Sequence, residues 1–270
     1  MGIINATPDS FYSGARMSTA DDIRHRVDEM LKYGADIIDI GGYSSRPGAT
    51  DISADEELDR LSAAVMPIRE IAPHIPVSID TFRAYVAREA VKTMGADIIN
   101  DISGGTLDST MFETIASLRV PYVLTHMRGT PATMQSLTDY SDSRGVTHSV
   151  MNSLKQSVDR LSYLGVSDII IDPGFGFAKT VEQNYTLLAD LQLFRVLGKP
   201  ILAGISRKSM LYKPLQSTPE NSLNATTAAH VIALLGGASI LRVHDVKAAR
   251  EALTIVEMTL NANHMSIINQ

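Results

Sequence analysis

Cysteine and tryptophan are both absent from the 270 residues. Without a thiol the chain has no disulfide, no thiolate metal site and no cysteine nucleophile. Basic residues are in deficit, 24 Lys and Arg against 30 Asp and Glu, for a formal charge of −6. That balance argues against a diffuse footprint for duplex nucleic acid or an anionic membrane. Any anionic ligand must therefore be met by a local cluster of positive groups. No apolar run reaches about 18 residues and no basic-then-apolar leader is present, so a cytoplasmic chain without a membrane span is expected. The phosphate-binding P-loop, the paired-histidine zinc helix and the serine nucleophile elbow are missing too. Gly174-Phe175-Gly176-Phe177 lacks the third glycine of a dinucleotide fingerprint. What remains is 44% hydrophobic and 20% charged. Such a chain is too apolar for disorder and long enough to bury a large core.

Short apolar runs recur at 2–5, 37–40, 77–79, 98–99, 122–124, 168–171, 201–205 and 240–243. Each is continuously rich in Ile, Val or Leu, as strands buried on both faces should be. Helical spacing fills the intervals. Ile23, Val27, Met30 and Leu31 fall on one face, with Gly34 where a left-handed cap belongs. Thr19 with Asp22, and Ser53 with Glu56, read as helix starts. Segments 83–94, 147–164, 219–235 and 246–260 repeat the pattern, and Pro67 is expected to kink or divide the second helix. Eight strand–helix units predict an α/β fold over 1–270, a single (β/α)8 barrel domain, with an open doubly wound sheet as the alternative. The long loops 7–18, 43–53 and 127–145 all follow strand C-termini, the face where such barrels build their sites.

Nearly every predicted strand ends in polar residues or glycine: Asn5, Gly41-Gly42, Asp80, Asn100-Asp101, His126, Asp172, Ser206 with Lys208, and Arg242 with His244. A barrel would gather Asp80, Asn100 and Asp172 beside the cations Lys208, Arg242, His244 and Arg46. That mouth suits a ligand with an N–H-rich neutral end and a multiply anionic end. Plainer readings stand beside each. A strand-end Asp serves about as often to cap the next helix, and Lys208 alone could be a solvated loop residue. His126 reads better as a satisfied core histidine. Arg242 and His244, two apart, share a side of their strand, and Asp245 points oppositely as a cap for the following helix.

Eight segments stand out in order: Gly2-Ile-Ile-Asn-Ala-Thr-Pro-Asp-Ser-Phe11, Asp39-Ile-Gly-Gly-Tyr-Ser-Ser-Arg-Pro-Gly48, Val77-Ser-Ile-Asp-Thr81, Ile99-Asn-Asp-Ile102, Thr125-His-Met127, Asp172-Pro-Gly-Phe-Gly-Phe177, Ser206-Arg-Lys-Ser-Met210 and Arg242-Val-His-Asp-Val246. Together they resemble the dihydropteroate synthase family, the pterin-binding barrels of the folate pathway that sulfonamides target. The resemblance implies a transfer reaction in which p-aminobenzoate displaces diphosphate from a 6-hydroxymethyl-7,8-dihydropterin diphosphate. It implies a pterin held by Asp80, Asn100, Asp172 and Lys208, and a diphosphate near Ser45, Arg46, Arg242 and His244. Magnesium would be held by Asn5 with help from Asp9 and Asp101. The p-aminobenzoate pocket would involve Phe11, Pro47, Phe177, Lys208 and Ser209, its carboxylate at the N-terminus of the helix after Ser206. Catalysis would fall to Lys208, Arg242 and His244 through a dissociative displacement, and a homodimer is implied.

Three departures accompany the resemblance. Ser45 stands where threonine is more usual, and Tyr43 replaces a commoner acidic residue. Family members carry an N-terminal hairpin before the first strand, whereas Gly2 already lies in that strand, so a barrel without the hairpin is expected. Two other functions remain open at this level. One is a related barrel moving a methyl group from a folate to a corrinoid protein; the other is a non-catalytic pterin-binding module.

Overall fold

Eight strands and nine helices alternate along the described residues of the computed structural model, which are 1–6, 20–44, 50–141 and 144–268. The strands are β1 (Gly2–Asn5), β2 (Ile38–Gly41), β3 (Val77–Asp80), β4 (Ile98–Asp101), β5 (Tyr122–Thr125), β6 (Ile169–Asp172), β7 (Leu202–Ala203) and β8 (Ile240–Leu241). The helices are α1 (Ala20–Lys32), α2 (Ala54–Ile71), α3 (Ala84–Met94), α4 (Met111–Leu118), α5 (Val146–Tyr163), α6 (Val181–Ala189), α7 (Ser209–Tyr212), α8 (Leu223–Leu235) and α9 (Val246–Ile268).

All pairings are parallel. β1 to β6 follow one another in a single ladder and β7 pairs with β8. Bridges from Ile171 to Ile201 and from Gly2 to Val243 join the two pieces. At the second seam the Ile3 N–H donates to the Val243 carbonyl at 3.0 Å, and the Val243 N–H to the Met1 carbonyl at 2.9 Å. The sheet therefore closes on itself, which makes this a (β/α)8 barrel and excludes the open sheet. β7 and β8 are shorter than their apolar runs suggest, because the chain leaves the ladder soon after Ala203 and Leu241.

The alternation of side chains decides what each strand offers. Ile4, Ile38, Ile40, Ile79, Ile99, Tyr122, Leu124, Ile169, Ile171 and Ala203 point outward and pack with the helices in one large core. The opposite set fills the barrel. Its lower layer is apolar and contains Met1, Ile37, Ile98, Val123, Ile170, Leu202 and Ile240. Two residues further on, Ile37, Ile98, Val123, Ile170 and Ile240 are followed by Asp39, Asn100, Thr125, Asp172 and Arg242, an upper layer that is polar except at Ile3 of β1.

Local signals hold where the chemistry is direct. The Ser53 hydroxyl accepts from the Glu56 N–H at 3.1 Å, and Gly34 takes φ +84° after α1. Thr19 lies outside the described residues. Pro67 does not divide the second helix: α2 runs through it, because proline removes one N–H while its fixed φ is itself helical. The predicted start at 219 moves to Leu223, since Pro219–Ser222 forms a turn held by the Ser222 hydroxyl. Among the described residues no helix is long and apolar enough to cross a membrane.

Candidate active site

The polar upper layer sits at the C-terminal end of the strands and includes Asp39, Asp80, Asn100, Asp172 and Arg242. Arg242 is its hub. Nε donates to Asp39 Oδ2 at 2.6 Å and Nη2 to Asp80 Oδ2 at 2.7 Å. Asn100 Nδ2 lies 3.3 Å from each Asp39 oxygen. Asp39 and Asn100 are buried, whereas Asp80 and Arg242 each leave 20% of the side chain exposed to the mouth. Burial works against the charge on Arg242, yet Asp39 and Asp80 outweigh it and hold the guanidinium above its ordinary value. Burial raises Asp80 to about 7; Arg242 opposes the rise and Asp39 adds to it.

Across the mouth, Asp172 accepts the Gly174 N–H at 2.7 Å, and burial raises its carboxyl while Lys208 opposes that. Lys208 is brought down to about 8 by burial, against the pull of Asp172. Its ammonium donates to the Phe175 carbonyl and lies 4.5 Å from the centre of the Phe177 ring. Gly204 lies beside Asp172 and Lys208: a Cβ there would be in ordinary contact, 3.5 Å, with an Asp172 oxygen. Ser209 opens α7, a single turn, so an anion there would find open N–H groups rather than a long helix dipole.

His244 is on the side expected, but its charge is not. Burial and then the neighbouring Arg242 lower it to about 4, which leaves a neutral imidazole at pH 7. Its Nδ1 is 3.0 Å from Ser206 Oγ, and the same hydroxyl accepts the His244 N–H at 3.2 Å. The cations expected at the mouth thus reduce, among the described residues, to Lys208 and Arg242. Asp245 points away from the mouth, as its position predicts; it precedes α9, its carbonyl accepts the Ala249 N–H at 3.1 Å, and its carboxylate takes Arg207, whose Nε and Nη2 each donate at 2.8 Å. Arg207, at φ +56°, also donates to the carbonyls of Pro219 and Glu220. This clamp ties the Ser206–Lys208 turn to the end of β8.

Asp101 leaves the metal set. It faces outward, one residue beyond Asn100, and accepts from the Ser103 N–H and hydroxyl, the Gly105 N–H and the Tyr122 hydroxyl. His126 has the same outward parity and is buried, as a core histidine would be. Tyr43 meets Phe82 edge-on at 5.0 Å, with the Arg83 guanidinium 5.2 Å from both rings. Asn5 ends β1 beside Gly41 of β2. Asp9, Phe11, Ser45, Arg46 and Pro47 lie outside the described residues. Two residues escaped the sequence reading. Asp39 was signalled by a charge inside an isoleucine run, which needs a buried partner. Lys179, 4% exposed, carried no such signal.

Residues 1–244 match the family described as pterin binding enzymes. A dihydropteroate synthase from Synechocystis is 44% identical over 260 residues, covering 95% of this chain and 88% of its own. The crystal structure of a dihydropteroate synthase from Clostridium difficile, in the presence of pteroic acid, superposes with a TM-score of 0.87 at 36% identity, covering 96% of this chain and 95% of that one. The Xanthomonas albilineans dihydropteroate synthase with 4-aminobenzoic acid gives 0.86 at 37% identity, covering 96% and 92%.

Proposed function

The chain belongs to the pterin-binding enzyme family, and from that premise we propose that it makes 7,8-dihydropteroate, transferring a dihydropterin-methyl group from its diphosphate to p-aminobenzoate. The observation that carries the reading is the inward set Asp80, Asn100, Asp172 and Lys208 closing one barrel end. An aminopyrimidinone presents adjacent N–H donors that a buried carboxylate accepts in pairs, and Lys208 meets the ring's acceptors.

In the proposed reaction the C–O bond to diphosphate breaks first and its electron pair leaves with the phosphate. Arg242 donates toward the departing oxygens, helped by the neutral His244 through Nε2. Positive charge on the methylene carbon spreads into the pterin ring. The arylamine nitrogen then forms the new C–N bond and releases a proton, so no strong general base is required. Ser45 and Arg46 are assigned to the diphosphate, with Phe177 and Ser209 lining the arylamine side.

Magnesium fits the donor set for a reason of charge. At this mouth the described cations, Lys208 and Arg242, do not outnumber the carboxylates Asp39, Asp80 and Asp172. Among the described residues no group of three or more His, Cys, Asp or Glu is gathered for a metal, and magnesium typically takes few protein ligands beside water and phosphate oxygens. Asn5 is the residue assigned to hold it, and the ion would supply positive charge to the leaving diphosphate. The proposal extends to a cytoplasmic location and to a homodimer, the latter supported by Ile232 and Leu235 of α8 and Ile255 and Met258 of α9, at least half exposed.

Incubation with dihydropterin diphosphate, p-aminobenzoate and magnesium should release diphosphate and dihydropteroate in equal amounts. No product at any enzyme concentration overturns the reading. Methyl transfer to a corrinoid would instead appear as a change in the cobalamin spectrum, and a binding module as calorimetric binding without product.

The pH dependence follows from two groups. Asp80 must be ionised to accept pterin N–H groups, so activity rises as pH passes upward through about 7. Lys208 must be charged, so activity falls as pH rises through about 8. The expected kcat/KM profile is a narrow bell with its maximum between those values. Lys208→Arg should move the alkaline limb upward, and a limb that stays in place contradicts the assignment.

A further inference from the structure

The loop between β6 and α6 holds an unusual backbone. Gly174, Gly176 and Ala178 all take positive φ, at 74°, 80° and 50°. Ala178 bears a Cβ there, at a cost of about 1 kcal/mol. Such a run persists only when its surroundings over-determine it. Here successive carbonyls are each met by a side-chain donor. Tyr140 Oη donates to Ala178 O at 3.0 Å, Gln135 Nε2 to Gly176 O at 3.4 Å, and Lys208 to Phe175 O. The remaining two belong to Lys179, whose Nζ donates to Gly174 O at 2.8 Å and Phe177 O at 2.9 Å. Its third contact is His126 Nδ1 at 3.1 Å. A fourth, longer approach is to the His126 carbonyl at 3.5 Å, so an ammonium with three N–H groups is fully engaged here. Burial holds both Lys179 and His126 well below their ordinary values.

Lys179 grips this loop on one face and Lys208 rests on the other. Phe177 is gripped through its carbonyl by Lys179 and meets Lys208 with its ring. A Cβ on Gly176 would stand 3.0 Å from Lys208 Cδ. We propose that Lys179 is a positioning residue for the reaction: by gathering the Gly174 and Phe177 carbonyls it fixes the platform on which Lys208 and the Phe177 ring meet the arylamine half of the substrate pair. The inference rests on the function proposed above. A displacement of about 1 Å at a reacting pair can cost about 100-fold, so a residue outside the site can control it.

The test is calorimetric binding of pteroic acid, with turnover beside it. Lys179→Met keeps the chain length and takes a donor from two carbonyls: Gly174 O retains the Phe177 N–H at 3.2 Å, and Phe177 O loses its side-chain donor. It should weaken pteroic acid at least about tenfold, which is about 1.4 kcal/mol. In turnover the KM for p-aminobenzoate should rise more than the KM for the pterin diphosphate. Loss of folded enzyme lowers only apparent kcat and cannot produce that split. A fall in Tm with pteroic acid affinity within about twofold of wild type overturns the proposal. If Lys179→Met is not recovered folded, Tyr140→Phe decides: it frees the Ala178 carbonyl alone, and its pteroic acid affinity should fall about threefold, the worth of one net hydrogen bond. Unchanged affinity there overturns the proposal as well. Wild type that binds pteroic acid without forming dihydropteroate refutes the reaction and leaves the loop result standing. Wild type that binds no pteroic acid removes both.

Discussion

Replacing Arg242 with alanine should lower kcat/KM by at least about 100-fold and stability by roughly 3 kcal/mol. The first effect comes from losing the group aimed at the departing diphosphate. The second comes from what is left behind. Asp39, fully buried, and Asp80 both accept hydrogen bonds from the same guanidinium. Without it two carboxylates share a buried space, and one must take up a proton. Adding Asp39→Asn should therefore recover part of the stability and none of the activity. Denaturant midpoints and steady-state kinetics on the single and double variants separate the two effects. Near-wild-type turnover in Arg242→Ala would sink the role given to it.

Lys208→Ala should also lose at least about 100-fold in kcat/KM, with a different signature. Asp172 keeps the Gly174 N–H, so the stability loss should be smaller than for Arg242. Ligand affinity separates them further. Pteroic acid carries no diphosphate, so its binding should collapse in Lys208→Ala and change far less in the Arg242→Ala, Asp39→Asn double variant, which removes the carboxylate that competes with Asp80 for charge. Equal losses of pteroic acid affinity in the two variants would contradict the division of labour between pterin and diphosphate.

The order of strands and helices was legible because continuous isoleucine-rich runs and helical spacing are local properties. The site was legible only in part. Asp80, Asn100, Asp172 and Arg242 could be picked out since polar residues ending apolar strands converge in any closed barrel. Which of Asn100 and Asp101 faces inward could not, because a strand apolar on both faces hides its parity. His126, by contrast, read as a core histidine and is one. His244 was identified, but the lowering of its basicity could not be read, since both the burial and the adjacent charge of Arg242 are supplied only by the fold. Lys179 was invisible for a related reason: a lysine in a glycine loop is ordinarily solvated, and its burial goes with His126, just after β5, and with Tyr140, which holds the neighbouring Ala178 carbonyl.

The apolar layer beneath the site makes a floor of low polarisability under a ring of charges. A charge beside such a wall cannot spread its field evenly; the field is pushed out through the water-filled opening. Asp39, Asp80 and Asp172 therefore act on an approaching ligand more strongly than the same groups on an outer surface. A bare phosphate ion there meets the pull of Lys208 and Arg242 set against the repulsion of the carboxylates, whereas a diphosphate already neutralised by a divalent cation feels less of that repulsion. The isoleucines at the barrel bottom, far from any bond that breaks, thereby take part in choosing which form of the substrate enters.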